Sequence, residues 1–181
     1  MKQQKKRWCK IAVAALVLIA VAATAQSADF PLSSPAIEPG RTIPDAFTCK
    51  GMNISPPLSW SGTPKGTKSL ALMVDDPDAP SGTFTHWIAW NIPAGSTRLL
   101  KGVSKNALPE KMAEGINDFH RPGYNGPCPP PGRIHHYRFT LYALDTLLDL
   151  PAQTTRAGLD DALTGHIIGT ARFSALFSIS R

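Results

Sequence analysis

No stretch of this chain is both apolar and long enough to span a bilayer as a helix. The longest apolar run, Ile11–Ala23, has 13 residues, against the ~20 a spanning helix needs. There is no C-x-x-C pair and no Cys/His spacing of the zinc-module kind, which argues against a structural zinc site. There is no G-x-S-x-G, so the nucleophile elbow of the serine hydrolases is missing. Internal repeats and low-complexity linkers are also absent. That speaks against repeat architectures and tethered modules, and residues 26–181 read as one domain.

What flanks the short apolar run is informative. The basic start MKQQKKRWCK, the run itself and the small-residue exit TAQSADF are the three parts of a secretory signal peptide. Ala23-Thr24-Ala25 fits the cleavage pattern, so residues 1–25 are expected to leave, with Ala28 the alternative cut and retention as an N-terminal anchor a further one. Cys9 precedes the run and so is not placed to become a lipidated first residue. The chain is then expected to be exported, periplasmic or secreted, with no span in the mature domain.

Cleavage changes the charge. Lys2, Lys5, Lys6, Arg7 and Lys10 go and no acid goes, so 19 basic residues become 14 against 13 acidic ones. Nucleic-acid binding needs a basic face, and the near-neutral remainder offers none in bulk. Two cysteines also remain, Cys49 and Cys128. In an oxidising compartment such a pair is expected to form a disulfide, with two separate buried thiols as the alternative.

The 17 prolines and 14 glycines all lie after the leader, which favours short strands and turns over long helices. Strands are expected at Ser69–Val74, Thr85–Ile92 and His135–Leu144, with shorter ones near Phe30–Leu32 and Ala171–Phe177. One helix is expected after Thr154-Thr155, which can cap it, with Leu159, Ala162, Leu163 and Ile167 on one face. The fold class is therefore mainly β and sandwich-like.

Two stretches could carry chemistry. In VDDPDAPSGTFTHWIAWN, Pro77 and Pro80 stiffen a turn bearing Asp76 and Asp78, and His86 follows within a strand. Alternation puts Ile88 and Trp90 on the face of His86, which equally describes a satisfied core histidine. In GYNGPCPPPGRIHHYRF, Gly126, Pro129 and Pro130 belong to a stiff loop with exposed backbone N–H groups. The loop enters a strand on which His135 shares a face with Tyr137, and His136 with Arg138. Such a loop suits a fixed rim around a small ligand, or is a plain connector. A metal site from Asp76, His86 and His135 fits no known spacing. A hydrolase built on the same three residues lacks a nucleophile, and Cys128 is crowded by prolines. Histidines beside an aspartate and glycine amides suit an anionic head group better.

Both stretches together resemble the phosphatidylethanolamine-binding protein family, in its bacterial Raf-kinase-inhibitor-like branch. The matching residues are Asp76 to Pro80, His86-Trp87, Gly126 to Pro130, Gly132 to His135 and Tyr137. Asn53 to Trp60 and Leu141 to Asp145 match as well, and the likeness covers about residues 33–178. It implies a large antiparallel sheet packed on a smaller one, with a few peripheral helices and an anion pocket at one sheet end. By position, Asp76, His86 and His135 would form the polar floor. Pro80, Gly126, Pro129, Pro130 and Tyr137 would form walls and rim. Two departures bear on ligand strength, pH response and loop geometry. His136 stands where the family typically has arginine, and His120 where bacterial relatives usually have glycine. The expected function is a non-enzymatic binding protein for a phosphate-bearing ligand such as a phospholipid head group, with no cofactor and no metal. A protein target, through protease or kinase inhibition, is the alternative, and a homodimer is left open.

Overall fold

The computed structural model describes residues 28–180. The expected signal segment, residues 1–25, lies outside the described residues. Among the described residues, nine strands form two sheets. They are β1 (Ala28–Asp29), β2 (Leu32–Ser33), β3 (Leu58–Trp60), β4 (Ser69–Asp76), β5 (Phe84–Pro93), β6 (Arg98–Leu99), β7 (Ala113–Glu114), β8 (His135–Leu144) and β9 (Ile167–Phe177). The larger sheet has the order β1-β9-β8-β4-β5-β7 and the smaller β2-β3-β6. All pairings are antiparallel except the edge pair β1–β9, which is parallel. The expected architecture, a large and a small mostly antiparallel sheet, is what forms.

The apolar run of β4 is continuous because both of its faces are covered. Leu70, Leu72 and Val74 enter the main core with Phe139 and Leu141 of β8, and the small sheet adds Leu32, Leu58, Trp60 and Leu99 to that core. Ala71 and Met73 face the other way, into a second core with Ile88, Trp90 and Leu144. Helix α1 (Arg156–Leu163) closes this second core with Leu159 and Leu163. Each such leucine contributes ~2 kcal/mol through its buried area.

The helix differs from expectation at both ends. Thr155 holds the N-cap position but makes no side-chain capping bond, and the Thr154 hydroxyl donates instead to the Pro151 carbonyl at 2.6 Å. Gly165, at φ 82°, turns the chain after the helix, so Ile167 opens β9 rather than continuing the helical face. The Phe30–Leu32 run is split, because β1 stops at Asp29 and β2 begins at Leu32. Pro31 between them has no N–H to donate to a ladder.

Candidate functional site

The central strands β4, β5 and β8 end together, and a cavity of about 240 Å³ opens there. The end of β4 supplies Asp76, and the turn after it supplies Ala79, Pro80 and Ser81. That turn is tied down at two points. The Asp78 N–H donates to Asp76 Oδ1 at 2.9 Å, a bond typical of aspartate turns. The Asp78 carboxylate accepts from His136 twice, from its backbone N–H at 2.8 Å and from its ring Nδ1 at 2.7 Å. Those two bonds hold the Asp78 carboxyl below its ordinary pKa. The acids and prolines of the opening motif thus make a stiff lip fastened to β8.

On β8 the alternation runs as the sequence suggests. His135 and Tyr137 are buried and face the cavity, while His136 is exposed. His135 Nδ1 lies 2.7 Å from Asp76 Oδ2, with both side chains 4% exposed. The ring is thereby fixed, and its Nε2 is the nitrogen left for the cavity. Tyr137 also lines the cavity, and its hydroxyl is buried beside Asp76. Burial first, then the charge of the nearby Asp76 carboxylate and the pull of the phenol proton toward it, push the phenol well above its ordinary pKa, so the proton stays on, although no hydrogen bond of regular geometry forms between them.

His86 does not share a face with Ile88 and Trp90, contrary to the alternation argument. The β4–β5 register pairs Val74 with Trp87 but Asp75 with Thr85, so His86 is an extra residue at a bulge. A bulge resets which face the side chains take. Trp87 therefore joins the main core, Ile88 and Trp90 join the second, and His86 joins the cavity. Its Nδ1 donates to the Asn125 carbonyl at 2.7 Å. Phe84, Phe119 and Tyr137 surround the ring, with centroids 5.3, 5.4 and 5.2 Å away. Burial pushes His86 below the ordinary histidine pKa of 6.5, against the opposing pull of the Asn125 carbonyl and Asp76.

The far wall is Cys128, Pro129 and Pro130. Cys128 is bonded to Cys49, with Cα atoms 5.4 Å apart, so the expected disulfide is present. The Cys49 N–H also donates to the Pro127 carbonyl at 3.0 Å. Gly126 donates its N–H to Asn53 Oδ1 at 2.7 Å. It does not line the cavity. A Cβ there would sit 2.0 Å from the Phe47 carbonyl oxygen, so the position must be glycine for the loop to close against that backbone.

Of the eight sequence-derived candidates, seven line the cavity and Gly126 stands behind its wall. Ala79, Ser81, Phe84 and Phe119 line it too and were not picked out. Phe84 was within reach, since it lies two residues before His86 on one strand. Phe119 comes from a turn held by Asn117, whose Oδ1 accepts the N–H groups of Phe119 and Arg121 at 2.9 and 3.2 Å. Next to it His120 adopts φ 59°, the left-handed region that favours glycine. A histidine thus holds a backbone shape that glycine adopts most readily. Among the described residues, no group of three or more His, Cys, Asp and Glu is placed to hold a metal. No described helix is long and apolar enough to cross a membrane.

A mainly β scaffold of one large and one small sheet, with a small cavity where its central strands end, defines the class of fold. Comparison with known proteins identifies it. The family model described as phosphatidylethanolamine-binding protein matches residues 33–178, and this chain belongs to that family. A UPF0098 protein of Methanothermobacter thermautotrophicus is 50% identical over 136 residues, covering 75% of this chain and 89% of its own. A protein of Mycobacterium tuberculosis, named as lipoprotein LppC, is 43% identical over 147 residues, covering 81% of this chain and 71% of its own. The crystal structure of YbcL from E. coli, described as a member of the mammalian PEBP family, superposes with a TM-score of 0.81 at 36% identity. It covers 84% of this chain and all of that one.

Proposed function

We propose that this chain is an exported binding protein whose cavity takes a small oxyanionic group, with phosphate-bearing ligands such as a phospholipid head the leading class. The observation that carries the reading is the Tyr137 hydroxyl, buried beside the Asp76 carboxylate but without a hydrogen bond of regular geometry, in the wall of a cavity that His86 and His135 also line. A buried donor so poorly matched is costly, and a ligand oxygen would satisfy it. Both histidines have Nδ1 occupied, by Asn125 and by Asp76, so each presents Nε2 to the guest. On this reading the role is binding; what supports it over turnover is that Ser81, the hydroxyl in the wall besides Tyr137, makes no hydrogen bond to either histidine among the described residues. Residues 1–25 would direct export and then leave, and the lipoprotein name carried by one relative fits an exported family member.

The test is calorimetric titration of the purified protein with phosphate, phosphoethanolamine and short-chain phosphatidylethanolamine, beside a His135→Ala variant. Saturable heat that the variant loses is the expected result. The absence of heat from all three ligands overturns the reading.

A further inference from the structure

The cavity holds little positive charge. Among the described residues that line it there is no Lys and no Arg; His86 and His135 are the only groups that can become cationic, and Asp76 adds a carboxylate. Asp76 lies against His135 at 2.7 Å, so a protonated His135 and an ionised Asp76 cancel. Protonating His86 as well leaves a single net positive charge, and that is the most the wall can offer.

The surroundings of His86 decide when it carries that charge. On its own strand it faces Phe84; from β8, Tyr137; from the loop before β8, Phe119 and the Asn125 carbonyl. The charged groups that act on it are Asp76 from β4 and Asp118 from the Phe119 turn, and Asp118 is itself engaged by the Thr85 N–H at 2.6 Å. With the cavity empty, burial outweighs both acids and favours the neutral ring. An anion placed against Nε2 adds the missing counter-charge, which raises the affinity of the ring for a proton. Tyr137 keeps its proton and serves as a neutral donor. The rest of the lining, including Pro80, Phe84, Phe119, Pro129 and Pro130, is apolar, and there an uncompensated charge is strongly disfavoured.

We propose that the cavity takes up one negative charge and one proton together. On this reading its ligands are singly charged oxyanions, phosphate diesters and singly ionised phosphates among them, and doubly charged phosphates are refused. This rests on the oxyanion reading above and sets its charge state. A diester stays singly charged at every working pH. A monoester loses its second proton near pH 6 and must regain it to enter.

The probes are dimethyl phosphate and methyl phosphate, titrated into the wild-type protein at pH 5.5 and pH 8 and followed by 31P NMR, with the His86 ring protons read in parallel. Near pH 5.5 the two are expected to bind within about threefold of each other. At pH 8 the diester is expected to lead by about tenfold or more, because each step of proton uptake costs a factor of ten per pH unit. Dimethyl phosphate should also move the His86 titration to higher pH, and a His86→Gln variant should flatten the pH dependence of diester binding. Equal affinities at pH 8, or a His86 titration that the diester leaves unmoved, overturn the inference while leaving anion binding intact. Failure of both probes to bind at either pH overturns the oxyanion reading and the inference with it.

Discussion

Tyr137 carries a hydroxyl that the fold encloses beside Asp76 without a hydrogen bond of regular geometry, while its ring stands edge-on to His86 with centroids 5.2 Å apart. Enclosing a polar group without a partner costs ~1–3 kcal/mol. Tyr137→Phe removes the oxygen and keeps the ring. It is therefore expected to raise the unfolding free energy in urea by about 1 kcal/mol, and to weaken phosphate binding by about tenfold. Opposite signs are the signature of a group kept for a ligand at the expense of the fold. A variant that is less stable, or that binds unchanged, contradicts the role. At this scale much of the site was legible. Asp76, His86 and His135 stand out as titratable residues at or beside stiff proline-rich segments, and the family resemblance is what joins them to Tyr137 in one site. The orientation of His86 was not legible, because a bulge is a property of how β5 pairs with β4 and not of β5 alone. Phe119 was hidden for a similar reason: its turn meets the cavity only once Asn117 has closed it.

Among the elements, the long strands were readable for different reasons: β8 by its alternation, β4 by its unbroken apolar run, β5 by its aromatic and β-branched residues, and β9 only over Ala171–Phe177, short of its full Ile167–Phe177. Strands β6 and β7, two residues each, have no period to read and exist only through their partners. Asp75 shows how an element can mislead. In sequence it belongs to the acidic turn, yet alternation along β4 sends it to the face opposite Asp76. There it is buried between two guanidinium groups. Arg138 Nε and Nη2 donate to its two oxygens at 2.7 and 3.0 Å, and Arg156 Nη1 donates at 2.7 Å. Arg156 is the first residue of α1, so Asp75 pins the helix to the sheet. Asp75→Ala leaves both arginines without their buried partner and is expected to cost about 2 kcal/mol, since both reach toward solvent. Amide exchange in α1 should accelerate, while phosphate affinity stays within about twofold because the cavity lies on the other face. Slow exchange retained in α1 would show that Leu159 and Leu163 alone seat the helix.

Over the whole molecule, the cavity depends on joining parts of the chain that lie far apart. The disulfide links positions separated by 79 residues, and one of its cysteines, Cys128, belongs to the cavity wall. The pairing was foreseeable only through the compartment, since the leader is what argues for oxidising conditions. Closing a loop of that length removes freedom from the unfolded chain worth about 4–5 kcal/mol on the chain-entropy view. For a domain of this size each kcal/mol moves the melting temperature by ~2–4 °C. The paired replacement Cys49→Ala with Cys128→Ala is therefore expected to melt about 10–15 °C lower than the oxidised protein. The wall itself has further ties: the Cys49 N–H to the Pro127 carbonyl, Gly126 to Asn53, and the Tyr124 hydroxyl to the Phe47 carbonyl at 2.6 Å. Those bonds use backbone and side chains that the double variant keeps. Below its melting point the variant should hold the cavity closed and bind phosphate within about threefold of the parent. Differential scanning calorimetry with a phosphate titration at 20 °C separates the two effects. A large loss of affinity in the still-folded variant would mean that the disulfide shapes the cavity directly, and an unchanged melting temperature would mean that the bonds across the wall already restrain the loop without it.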